Sequence, residues 1–179
     1  MTLQELDVLG TWVAGLGTLL AVIVSLYLAR TMGRIKLNVV IGERQIITPG
    51  LTEIPDVVTV FVTNCSQRPA KVTHISWKIG FWKKKHFIQM FNVPGYETLP
   101  KMLNEGEEGH FVVPYKIHGN DEDWDESMAQ HLLEGSSLPQ LYISTLRCVV
   151  STSVGQQFKV KVEKNLRDRL LQNYKANKS

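Results

Sequence analysis

Val8-Leu9-Gly10-Thr11-Trp12-Val13-Ala14-Gly15-Leu16-Gly17-Thr18-Leu19-Leu20-Ala21-Val22-Ile23-Val24-Ser25-Leu26-Tyr27-Leu28-Ala29 is a run of 22 residues without a charged side chain. As a helix rising about 1.5 Å per residue it spans roughly 33 Å, enough for a hydrocarbon core of about 30 Å. Its hydroxyl residues Thr11, Thr18 and Ser25 can bond back to their own helix. Trp12 and Tyr27 lie near the two ends, where amphipathic rings favour the headgroup zone. A buried core helix is usually shorter. A cleaved signal peptide wants a positive start, a shorter apolar run and a small-x-small site. Here Glu5 and Asp7 precede the run and Leu26-Tyr27-Leu28-Ala29-Arg30 closes it. The expectation is a retained transmembrane helix within residues 1–30 and a separate domain over residues 35–179.

Flanking charge sets the expected orientation. All 20 Lys and Arg residues fall at Arg30 or beyond, with Arg30, Arg34, Lys36 and Arg44 nearest the helix. Positive flanks stay in the cytoplasm, so the N-terminus is expected outside and the domain inside. Cys65 and Cys148 fall in apparent strands with no motif to pair them. They read as reduced thiols, each a small buried hydrophobe.

Within the helix Gly10, Ala14, Gly17, Ala21 and Ser25 recur at spacings of four, three, four and four. Such a stripe lets a neighbouring helix approach closely, in a second copy or in another membrane protein. Ordinary small-residue content of a membrane helix is the plainer reading.

After the helix the period changes to two. Ile35, Leu37, Val39 and Ile41 alternate with polar or smaller residues, and Val58, Val60 and Val62 alternate with Thr59 and Phe61. Runs 72–79, 86–93, 110–115, 141–151 and 157–162 read as further strands. Seven strand candidates between Pro, Gly and Asn turns predict a mainly β domain, an antiparallel immunoglobulin-like β-sandwich. Two helices are expected in it. Residues 121–134 place Trp124, Met128, His131 and Leu132 on one face, and residues 164–175 place Leu166, Leu170 and Tyr174 at i, i+4, i+8.

Several segments resemble uncharacterised bacterial and prophage proteins. They are Trp12-Val13-Ala14-Gly15-Leu16-Gly17-Thr18 running into Leu28-Ala29-Arg30, then Val62-Thr63-Asn64-Cys65-Ser66-Gln67-Arg68-Pro69-Ala70 and Ile75-Ser76-Trp77-Lys78-Ile79-Gly80. Leu99-Pro100-x-x-Leu103-x-x-Gly106-Glu107 and Ser151-Thr152-Ser153-Val154-Gly155 are similar to the same group. The resemblance implies a single-pass protein of a bacterial inner membrane with a cytoplasmic β-sandwich, and no activity. Because some such proteins are carried by prophages, it associates the chain with phage exclusion or defence.

Lys83, Lys84 and Lys85, flanked by Phe81, Trp82, His86 and Phe87, are the most concentrated basic feature and read as a hairpin tip. Trp82 with these lysines suits anionic headgroups or a protein partner. A solvated tip whose charge deters edge pairing is the plain reading. Stacking on single-stranded nucleic acid is disfavoured, because residues 30–179 carry 20 positive against 15 negative charges, a modest excess.

Asp121-x-Asp123-x-Asp125 imitates the start of a calcium loop, but the sixth and twelfth positions hold Glu126 and Leu132 instead of Gly and Glu. These carboxylates are better read as helix-capping groups. The basic tail beyond residue 136 and the acidic helix could dock one copy on another, or each could be an ordinary solvated face. His74, His86, His110, His118 and His131 show no metal-ligand spacing, and no nucleophile elbow, Walker loop or dinucleotide fingerprint occurs. No catalytic residue, metal, cofactor or small-molecule substrate is expected. The leading expectation is a membrane-tethered, non-enzymatic interaction or adaptor module. The alternatives are an accessory subunit of a membrane complex and a small membrane-bound enzyme using dispersed groups such as His74, His110 and Asp125.

Overall fold

A computed structural model describes residues 3–47, 55–82, 84–91, 95–116 and 123–178. It divides into two compact units, Met1–Arg34 and Ile35–Ser179. The first is one helix, α1 (Leu3–Met32). Its 21-residue segment Gly10–Arg30 reaches a mean hydropathy of 2.1 over an 18-residue window in which no residue is buried, so it is long and apolar enough to cross a membrane. Two of its hydroxyls bond back to the helix: Thr11 Oγ1 donates to the Asp7 carbonyl, and Thr18 Oγ1 to those of Ala14 and Gly15.

The second unit holds eight strands, among the described residues, in two antiparallel sheets, together with three helices. The chain as a whole therefore mixes helix and strand. One sheet has the order β1 (Leu37–Gln45), β2 (Asp56–Asn64), β6 (Glu108–Pro114). The other has the order β4 (Lys85–Gln89), β3 (Ala70–Ile79), β7 (Arg147–Thr152), β8 (Gln157–Lys161), with β5 (Lys101–Leu103) also on β3. The helices are α2 (Trp124–Leu133), α3 (Pro139–Ser144) and α4 (Lys164–Ala176).

Strand alternation places one row of each strand in a shared core. Val39 and Ile41 of β1, Val58, Val60 and Val62 of β2, and Phe111 and Val113 of β6 meet Ile75 and Trp77 of β3 and Cys148 and Val150 of β7. Leu132 and Leu133 of α2 and Leu166 and Leu170 of α4 complete the core, as the apolar stripe of the tail predicts.

Some expectations need correction. The run from Leu141 is not all strand, because Pro139 at the first turn starts a short helix and β7 begins only at Arg147. His131 does not lie on the packed face of α2; it is exposed, and Asp125, Ala129 and Leu133 are buried with Met128 and Leu132. Cys65 follows β2 and is exposed, whereas Cys148 is buried. Asp123 occupies the N-cap of α2 but makes no side-chain capping bond. Asp121 lies outside the described residues.

Candidate functional surface

The tip singled out from the sequence is the β3–β4 turn. Gly80 opens it at φ +112°, a left-handed backbone that favours glycine, and its N–H donates to Thr145 Oγ1. Trp82 is 97% exposed, and Phe81 beside it is also exposed. Lys84 is exposed, and Lys83 lies outside the described residues. Lys85 turns back onto the domain. Its Nζ donates to the carbonyls of Glu134 (2.9 Å) and His131 (3.3 Å) at the C-terminal end of α2. A cation there meets the negative end of the helix dipole and two carbonyls without helical partners. Lys85 therefore belongs to the scaffold, while Trp82 and Lys84 belong to the surface.

The tip continues into a larger basic face that the sequence reading did not assemble. On the outer side of the five-stranded sheet, Lys78 of β3 lies between His86 of β4 and Arg147 of β7, and Arg147 is paired with Lys161 of β8. The next outward row runs Ile88, Ser76, Val149, Lys159. Lys159 and Lys161 are exposed. Ser76 and Val149, in the middle of this row, are buried, and Ser76 Oγ donates to the Val149 carbonyl. Neither row contains a carboxylate, and among the described residues no ion pair involves Lys78, Lys84, Arg147, Lys159 or Lys161; Arg147 Nη1 donates to the carbonyls of Leu146 (3.0 Å) and Ser144 (3.2 Å), so this guanidinium, like Lys85, is partly engaged by the scaffold. Desolvation, then the like charges of Lys159 and Lys84, hold the Lys78 ammonium below its ordinary pKa. The alternation was visible in each strand; the side-by-side order β3-β7-β8 was not.

The domain's other charge cluster is internal. Arg169 of α4 donates from Nε to Asp125 Oδ2 (2.7 Å) and from Nη1 to Glu43 Oε1 (2.6 Å) and Asp56 Oδ2 (3.1 Å). Its guanidinium lies 4.0 Å over the Tyr115 ring, which stacks on Trp124. Asn173 donates a further bond to Asp125, which is 2% exposed. Burial pulls the Arg169 pKa down, but the bonds to Asp125, Asp56 and Glu43 outweigh it and raise the value. Burial pushes the Tyr115 phenol up, and the Glu43 carboxylate adds to it. The basic tail and acidic helix thus meet within one chain. A clamp of this kind joins α4 to β1, β2 and α2.

The dispersed groups named for an enzyme do not converge. His74 is on the outer face of the five-stranded sheet and His110 on that of the three-stranded sheet, where it pairs with Glu108 and meets Phe61 edge-on. Asp125 is held by Arg169. In α1 the stripe Gly10, Ala14, Gly17, Ala21 and Ser25 is exposed, and a Cβ added at Gly10 or Gly17 would meet nothing within 4 Å.

Sequence reasoning also missed Asn64. Its Nδ2 donates to the carbonyls of Arg68 (2.8 Å) and Leu103 (3.0 Å), and its Oδ1 accepts from the N–H and hydroxyl of Ser66. An asparagine ending a strand run and followed by Cys-Ser-Gln-Arg-Pro was the available signal; its full burial is seen only in the fold.

No family model and no curated relative matches the chain. Among solved structures it is similar to the candidate ApaA protein of Bordetella pertussis, at 15% identity and a TM-score of 0.33, covering 72% of this chain and 89% of that one. It is also similar to a candidate late embryogenesis abundant protein, at 12% identity and a TM-score of 0.32, covering 87% and 83%. Likenesses this distant carry no functional weight.

Proposed function

We propose that this chain is a membrane-tethered binding module of a bacterial inner membrane. In this reading α1 stays in the bilayer as a single span with its N-terminus outside. The domain is an immunoglobulin-like sandwich on the cytoplasmic side that contacts a partner without performing chemistry. The observation that carries the reading is α1 itself, whose segment Gly10–Arg30 is apolar over an 18-residue window with no residue buried. Arg30, Arg34, Lys36 and Arg44 follow it, the flank that favours the cytoplasmic side. The internal pairing of Arg169 and Arg44 also supports a binding role, because these ion pairs hold elements together and leave the basic sheet face for recognition. Tethering raises the local concentration of that face at membrane targets, so weak contacts suffice.

The test is fractionation of the full chain bearing a tag after Ser179. The reading expects membrane retention through a carbonate wash and a tag that external protease reaches only after the cells are opened. Release by carbonate, or digestion of the tag on intact cells, overturns it.

A further inference from the structure

The outer face of the five-stranded sheet presents two chemistries side by side. Lys78, Lys159 and Lys161 form one part, with Arg147, held by the Ser144 and Leu146 carbonyls, between them and no carboxylate on their rows. Along the edge strand β4, Ile88 shares this face at 69% exposure, and Trp82 is almost fully exposed at the adjoining tip. Unbalanced like charges repel one another, and exposed apolar side chains remain in water at a cost. A partner that relieves both must be anionic and must also accept aliphatic and indole groups. Nucleic acid supplies the charge and can stack on an indole, but offers little to an isoleucine. An anionic bilayer interface supplies headgroup charge and an apolar boundary together.

Geometry within the domain adds a constraint. The chain enters beside Cys65, whose N–H donates to the Lys36 carbonyl, close to the Ala70 end of β3. The tip lies past Ile79, at the other end of that ten-residue strand, about 33 Å away at the usual strand rise. A surface in contact with both ends runs lengthwise along β3, and the outer face of the five-stranded sheet offers one such path.

We propose that the outer face of the five-stranded sheet is a contact surface for anionic phospholipid headgroups, with its lysines at the phosphates and Trp82 and Ile88 in the interface. The proposal rests on the tethered reading, which keeps the domain within reach of a bilayer. Contact would be reversible, strengthened by anionic lipid and weakened by salt.

The test uses the full chain in lipid nanodiscs, which leave both bilayer faces accessible. Lysine acylation is read residue by residue in phosphatidylcholine discs and in discs doped with phosphatidylglycerol, with Lys116 as internal reference. Labelling of Lys159 and Lys161 should fall about fivefold in the anionic discs and recover in high salt. K161E should restore labelling of Lys159 in the anionic discs. Equal labelling in both discs, from a chain that resists carbonate, overturns this inference and leaves the tethered reading intact. Protection by an added oligonucleotide in neutral discs, with no effect of phosphatidylglycerol, overturns it in favour of nucleic acid. A chain that carbonate releases removes the tethered reading, and this inference with it.

Discussion

The Arg169 guanidinium meets the Asp125 carboxylate at 2.7 Å, and Asp125 is almost wholly removed from solvent. The same side chain reaches Glu43 and Asp56, so one cation serves three anions from β1, β2 and α2. Arg169→Met would leave a buried carboxylate without its charge partner. Breaking such a pair costs about 3–5 kcal/mol, against a total stability on the order of 5–15 kcal/mol. Arg169→Lys should fall between the two, because one ammonium cannot reproduce the forked geometry. Urea denaturation of the detergent-solubilised chain measures both; a Met variant as stable as the parent would refute the clamp.

Acid should weaken the fold in a defined window. A hydrogen bond from Gln45, then one from Arg169, holds the Asp56 carboxyl below its ordinary 3.8. The Arg44 bond holds Glu163 below 4.5, and the Thr63 hydroxyl, ahead of His110, does the same for Glu108. Folded-state values below the unfolded ones mean that the stabilisation is complete above the unfolded values and is lost as pH falls through the folded ones. Stability should therefore be flat near neutrality with respect to these groups and decline below about pH 4.5. Arg169→Met should make that decline shallower by removing part of the Asp56 contribution. Melting temperature against pH reads the slope.

Asn64→Ala should be more damaging than its polar character suggests. It strips a hydrogen bond from the Leu103 carbonyl and the acceptor from the Ser66 N–H, and leaves the Arg68 carbonyl only the Ser66 hydroxyl, all beside a buried strand end. Each buried group left unsatisfied costs about 1–3 kcal/mol, so a loss of about 2 kcal/mol or more is expected. Hydrogen exchange of the Cys65 and Ser66 amides should rise at the same time.

Neighbouring lysines at the tip should separate by role. Lys85→Met removes the cation from the end of α2 and should cost about 0.5–1 kcal/mol. Lys84→Gln should leave stability within about 0.5 kcal/mol of the parent. Matched thermal melts of the two variants decide this; equal effects would mean that the α2 contact is not used.

The two thiols should differ in reactivity. Cys65 is exposed, while Cys148 is buried in β7 and burial pushes its thiol pKa up. A maleimide should modify Cys65 in the native chain and Cys148 only after denaturation. Rapid double modification without unfolding would contradict the core placement of Cys148.

An uncharged run of spanning length located α1, and periodicity located β1, β2, β3 and α4, because amphipathic and alternating patterns record which side of a local element is buried. Their limits shifted where a local rule was overridden. Pro139 starts a helical turn where β propensity suggested strand, and Asp125, in the first turn of α2 as expected, also accepts from the distant Arg169.

The sequence by itself determined the apolar α1, the two-residue alternation of the domain, the exposed Trp82 at a turn, and the apolar stripe Leu166 and Leu170. Each depends on side chains within a few residues of one another. Tertiary structure alone decided that Lys85 would close α2, that Asp125 would meet Arg169, and that Lys78, Arg147, Lys159 and Lys161 would form one face. Those relationships depend on which strands lie side by side and how helices cross them. That order is set by the joint packing of one core, and no local spacing carries it.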